Sequence, residues 1–116
     1  MKINIYETIQ NIFRKYRNQE ENNIDYENAM SIFKNDKESV LVDVRSPQEY
    51  KEWHINGSIN IPLYDLEKNN SQITNNKNNV IIVYCQTGKR SKKAVEILKK
   101  VRYTKLYEID GGLDNI

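Results

Sequence analysis

One cysteine, one histidine, two prolines and four glycines in 116 residues exclude several architectures at the outset. Cys85 has no internal partner, so a disulfide framework is impossible, and with a single His the chain alone cannot assemble a Cys/His structural zinc site. A lone thiol fits a reducing compartment. The scarcity of Gly and Pro rules out a collagen or a flexible linker protein. The longest apolar run, Val80 to Cys85, is a strand's length, well short of the roughly 20 residues that cross a bilayer. The opening Met-Lys-Ile-Asn-Ile-Tyr-Glu is broken by polar residues too early to form a signal-peptide core. A soluble, cytoplasmic protein with one core is expected.

The formal net charge of +2 is too small to argue for nucleic acid or a membrane surface as a partner. Its distribution is uneven: from Lys89 to Lys105 there are eight basic residues and one acid, Glu96. Lys92, Lys93, Lys99 and Lys100 read as the solvated face of a helix, which leaves Lys89 and Arg90 as the charges available for chemistry. The abundant Asn, Lys, Ile and Tyr share A/T-rich codons, so the Asn richness is read as nucleotide bias and not as a prion-like tract.

Apolar periodicity places the elements. Ile5, Ile9, Ile12, Phe13 and Tyr16 fall on one face of a helix, followed by a polar connector from Arg17 to Asn23. This suggests an N-terminal helical extension, residues 1–20, on a domain of residues 21–116, packed on that domain or docking a partner. Asp25 is positioned to cap a second helix running through Phe33. Val40 to Val44 and Val80 to Tyr84 are continuous apolar runs, as in parallel strands covered on both faces, and Leu106 to Ile109 is a weaker third. A short helix is expected near Leu63 to Lys68, and Ala94, Ile97, Leu98 and Val101 mark an amphipathic helix from Ser91 to Arg102. Strand and helix alternate, which predicts an α/β domain with a parallel sheet.

In such sheets ligands bind beyond the carboxyl ends of the strands, and Cys85 closes the strand Val80 to Tyr84. The loop Gln86-Thr87-Gly88-Lys89-Arg90 then runs into a helix, whose first N–H groups and dipole, with the two cations, favour thiolate over thiol and an anionic substrate. Gly88 supplies the positive φ that curling a loop around one atom requires. The competing reading is an ordinary buried cysteine.

Four motifs occur in order: Leu41-Val42-Asp43-Val44-Arg45-Ser46-Pro47-Gln48-Glu49-Tyr50; His54-Ile55-Asn56-Gly57-Ser58-Ile59-Asn60-Ile61-Pro62-Leu63; Tyr84-Cys85-Gln86-Thr87-Gly88-Lys89-Arg90-Ser91; and Asp110-Gly111-Gly112. Together, from about Ile24 to Ile116, they resemble a single-domain rhodanese. The resemblance implies a five-stranded parallel sheet between helices and a sulfurtransferase in which Cys85 becomes a persulfide. Thiosulfate or a related anionic donor would supply the sulfur, and cyanide or a thiol, including a protein thiol, would accept it. It implies no metal and no cofactor.

The implied roles are Cys85 as nucleophile and Gln86, Thr87, Gly88, Lys89 and Arg90 as the donor-binding loop. Asp43 and Arg45 match the family's Asp-x-Arg, either shaping the pocket's field or forming a structural ion pair with each other or with Glu49. His54 reads as a loop-ordering histidine and not a base for Cys85, and Glu49 and Tyr50 as helix-start and packing residues. Gly111 and Gly112 read as a turn with little claim to chemistry. Gln86 stands where many thiosulfate-using members carry a basic residue; Trp53 and Ile116 replace a Gly and a Trp at packing positions. Cdc25-like phosphatases and arsenate reductases of this fold have five residues between Cys and Arg, whereas four separate Cys85 from Arg90, a loop suited to sulfur over phosphate. A persulfide carrier or protein-binding module is the alternative from another class.

Overall fold

A computed structural model describes residues 4–16 and 22–116. In chain order the elements are α1 (Ile5–Tyr16), β1 (Asn23–Ile24), α2 (Tyr26–Asn35), β2 (Val40–Asp43), α3 (Pro47–Glu52), β3 (Ile59–Asn60), α4 (Leu63–Asn69), β4 (Val80–Tyr84), α5 (Lys89–Lys100) and β5 (Lys105–Ile109). Short 3-10 turns follow at Asn70–Gln72 and Gly112–Asn115. The five strands form one sheet in the order β1-β5-β4-β2-β3, every neighbouring pair parallel.

β4 lies at the centre, and all five of its residues are buried. A strand points successive side chains to opposite faces, and β4 shows it directly. Ile81, Val83 and Cys85 enter one core with Leu66 of α4 and Ala94, Val95 and Leu98 of α5. Val80, Ile82 and Tyr84 enter the other with Ile12 of α1 and Ala29 and Ile32 of α2. The continuous apolar run is therefore what a strand covered on both faces requires.

α1 packs on the second core: Ile9 and Ile12 are buried, and Phe13 stacks on Tyr107 with ring centroids 5.9 Å apart. The Tyr16 side chain and the connector residues 17–21 lie outside the described residues. Asn23, read from sequence as connector, is instead strand: β1 pairs with β5 at Asn23–Glu108 and Ile24–Ile109. Asp25 caps α2 by accepting from Asn28 N at 2.8 Å.

α5 begins at Lys89, two residues before the expected Ser91, because Gly88 takes the left-handed conformation (φ +97°) and is itself the cap. Lys89 and Arg90 are thus first-turn helical residues. The helix stops at Lys100, and Arg102, expected to be helical, has a φ of +75° that no α-helix accommodates. At the other side of the sheet, Asn60 Nδ2 donates to the carbonyls of Asp43 and Arg45, both at 3.0 Å. That side chain fixes the short β3 against the end of β2, where the functional residues emerge.

Candidate active site

Cys85 is the first residue past β4 and is fully buried. Its Sγ accepts from Gly88 N at 3.1 Å and Ser91 N at 3.3 Å. Two backbone donors thus converge on one sulfur, each N–H dipole pointing its positive end at it. The third sulfur contact is Ser91 Oγ at 3.6 Å, and that hydroxyl donates to Gly88 O at 3.1 Å, closing the first turn of α5 under the sulfur. Gly88 makes this possible: its positive φ turns its own N–H inward.

The loop rests on the C-terminal turn. Leu113 N donates to Cys85 O and Asp114 N to Gln86 O, both at 3.0 Å. Gly112 lies so close that an added Cβ would sit 2.5 Å from Cys85 O and 2.6 Å from Gln86 O. Gly111–Gly112, expected to be a turn with little claim to chemistry, is a turn that packs directly under the nucleophile loop. Beside it, Gln86 Nε2 donates to Asp114 Oδ1 at 2.6 Å.

Asp43 and Arg45 form a buried ion pair, Nη2 to Oδ2 at 2.8 Å, reinforced by Arg45 Nε at 3.1 Å from both carboxylate oxygens. Arg45 also donates from Nη2 to Trp53 O at 2.5 Å and from Nη1 to Gln86 Oε1 at 3.3 Å. The guanidinium is thus paired with Asp43, one of the two ion-pair partners weighed from sequence, and also hydrogen-bonds Gln86, the residue after the nucleophile.

Arg90 turns to Glu49, with Nη1–Oε1 at 2.7 Å and Nη2–Oε2 at 3.0 Å. Arg90's hydrogen bonds are the main reason the Glu49 carboxyl is held down to about 2. Glu49 also caps α3, accepting from Ser46 N while its own N–H donates to Ser46 Oγ, both at 3.2 Å. Its role as a helix-start residue therefore coexists with a second one, tying α3 to the start of α5. Thr87 and Lys89 are exposed, and Lys89 has no acidic partner among the described residues.

His54 Nδ1 lies 2.7 Å from Tyr50 O and its ring stacks on Tyr50 at 3.7 Å, while Tyr50 Oη donates to Ser58 O at 2.5 Å. Among the described residues no hydrogen bond joins His54 to the sulfur. Tyr84, fully buried before Cys85, accepts from Ile55 N at 3.1 Å and shares a hydrogen bond with Ser58 Oγ at 3.0 Å; burial pushes its phenol up to about 12. Residues absent from the sequence-based site but part of its build are Ser91, Gly112, Leu113 and Asp114. Among the described residues no group of three or more His, Cys, Asp or Glu could hold a metal ion, and no helix is long and apolar enough to cross a membrane.

The chain is 40% identical over 75 residues to the thiosulfate sulfurtransferase PspE of Escherichia coli, covering 65% of this chain and 71% of that protein. It is 34% identical over 73 residues to the putative sulfur carrier protein YrkF of Bacillus subtilis, spanning 63% of this chain but 38% of the relative. Among solved structures it superposes on a rhodanese with anions from E. coli (TM-score 0.62, 38% identity, 67% of this chain and 91% of that one). An uncharacterized Saccharomyces cerevisiae protein gives a TM-score of 0.71 at 28% identity, with 84% and 91% covered. These similarities support a role in sulfur transfer. The family model for the rhodanese-like domain matches residues 26–116, and the chain belongs to that family.

Proposed function

We propose that the protein is a cytoplasmic sulfurtransferase that moves a sulfane sulfur from thiosulfate or a related donor to cyanide or a thiol through a persulfide on Cys85. The observation that carries this is the pair of backbone donors, Gly88 N and Ser91 N, aimed at one sulfur. Full burial is also what an inert core cysteine shows; converging N–H groups at the start of a helix are the feature of a nucleophile held as an anion.

The chemistry balances without a cofactor. The Cys85 thiolate attacks the outer sulfur of thiosulfate, the new Sγ–S bond forms as the donor's S–S bond breaks, and the electron pair leaves with sulfite. Cyanide then attacks the outer sulfur, thiocyanate departs, and the thiolate returns. The N–H groups of the loop spread the charge at each stage, and Gln86, Thr87, Gly88, Lys89 and Arg90 form the donor's surroundings. With Cys85 fully buried, the donor enters on local opening of this loop. With no second cysteine, the persulfide is discharged by an external acceptor.

Thiocyanate production from thiosulfate and cyanide tests the proposal, with Cys85→Ala alongside. Turnover that vanishes in the variant is the expected result. Hydrolysis of an aryl phosphate that depends on Cys85, without sulfur transfer, would replace this reading with phosphatase chemistry.

A further inference from the structure

Six charged side chains are linked to the nucleophile loop or belong to it, and their signs cancel. Arg45 is paired with Asp43 and Arg90 with Glu49; Lys89 is exposed without an acidic partner among the described residues. The sixth is Asp114, attached at two points to the residue that follows Cys85. Its carboxylate accepts from Gln86 Nε2 at 2.6 Å and its backbone N donates to Gln86 O at 3.0 Å. The Gln86 amide is engaged at both ends, since its Oε1 accepts from Arg45 Nη1 at 3.3 Å. One of the two Gln86 Nε2 donors is therefore committed to a carboxylate and not to an incoming dianion, and that carboxylate stands one side chain away from the nucleophile's neighbour.

Building on the sulfur-transfer reading above, we propose that Asp114 is a specificity-determining residue. It disfavours doubly charged donors such as thiosulfate and leaves the site suited to persulfides that bring at most one charge. With such a donor the thiolate of Cys85 attacks the outer sulfur of R–S–SH. The Sγ–S bond forms, the donor's S–S bond breaks, and R–S⁻ leaves with the electron pair while the proton stays on the transferred sulfur. No oxidant or reductant is consumed. The Asp114 carboxylate is exposed and one hydrogen bond from the Gln86 side chain, and a carboxylate beside a donor's approach acts twice as strongly on a dianion as on a monoanion and hardly at all on a neutral persulfide.

The test is single-turnover loading of Cys85, followed by intact mass over a range of donor concentrations, with thiosulfate and 2-hydroxyethyl persulfide as probes. Asp114→Asn removes the charge and retains an oxygen that can accept from Gln86; Asp114→Ser repeats the measurement with a second neutral side chain. The expected result is a thiosulfate half-saturation concentration lowered on the order of fivefold, shrinking toward no difference as salt is raised to about 0.5 M. The limiting rate and the loading by hydroxyethyl persulfide stay within about twofold, and Asp114→Glu behaves as wild type. A structural role would shift both donors alike. An equal shift for both donors, or none for either, in a protein that still loads from at least one overturns the inference. Wild-type protein that loads from neither donor overturns the sulfur-transfer reading itself, and this inference with it.

Discussion

Replacing Gly112 by alanine should damage the protein more than the same change at its neighbour Gly111, and the difference measures how tightly the nucleophile loop is seated. Both glycines are left-handed, with φ of +64° and +71°, so both variants carry a backbone penalty of about 1–2 kcal/mol. The surroundings differ. At Gly111 the new methyl meets Asn115 Cβ at 2.7 Å, a side-chain atom of an exposed residue whose amide is held by Asp110 O at 3.1 Å, so relief there disturbs one surface hydrogen bond and not the nucleophile loop. At Gly112 it meets Cys85 O at 2.5 Å and Gln86 O at 2.6 Å, backbone atoms of the nucleophile loop just past β4. Relief there requires the turn to part from the loop, and the hydrogen bonds from Leu113 N and Asp114 N to those same carbonyls are lost at about 1 kcal/mol each. Gly112→Ala should therefore lose about 3–4 kcal/mol and Gly111→Ala about 2 kcal/mol less. Urea unfolding followed by far-UV circular dichroism gives both values, and sulfur loading of Cys85 should slow by about tenfold or more in Gly112→Ala as its N–H donors shift. Equal stabilities for the two variants, with unchanged loading, would refute the claim that the C-terminal turn seats the loop.

The Glu49–Arg90 pair predicts a pH effect. Glu49 sits at about 2 in the fold against an ordinary 4.5, so its stabilisation is complete above the ordinary value and is lost as pH falls through 4.5 toward 2. Glu49→Gln should be about 0.5–1 kcal/mol less stable than wild type at pH 7, a modest figure because the pair is partly exposed. That gap should close at low pH, and a gap independent of pH would contradict the assignment. Arg45→Met strands the buried Asp43 carboxylate and should lose about 3–5 kcal/mol. Adding Asp43→Asn should lose less than the sum of the single changes, and strict additivity in urea midpoints would show that the two residues do not act as a pair. Deleting residues 1–20 removes Ile9, Ile12 and Phe13 from the second core and should lower stability by about 2–4 kcal/mol while leaving the five strands assembled. An unchanged midpoint would make α1 a docking element.

What the sequence disclosed, and what it hid, follows from the range of each interaction. β4 and β2 are legible because residues covered on both faces are mostly apolar, as Val80 to Tyr84 are, and as Val40 to Val44 are apart from Asp43, whose charge is paired with Arg45. β1 and β3 are two residues each, too short for any period, and one is held by pairing with β5 and the other by the Asn60 side chain. The start of α5 was displaced by two residues because its cap is Gly88, which offers no side-chain signal. Cys85 and Gly88 could be located from their place after an apolar strand. The supports could not: Asp114 lies 28 residues from Gln86, and Glu49 lies 41 from Arg90. No local pattern reports that two distant segments meet. A Gly-Gly pair reads as a turn whether it packs against solvent or against the carbonyl of the nucleophile.

The most direct test of the central claim is the intact mass of the protein before and after incubation with thiosulfate or a small persulfide, then after cyanide, with Cys85→Ser treated in parallel. The account predicts a gain of ~32 Da confined to protein that retains Cys85 and removed by cyanide. No gain with either donor, or a gain that persists in Cys85→Ser, would contradict it.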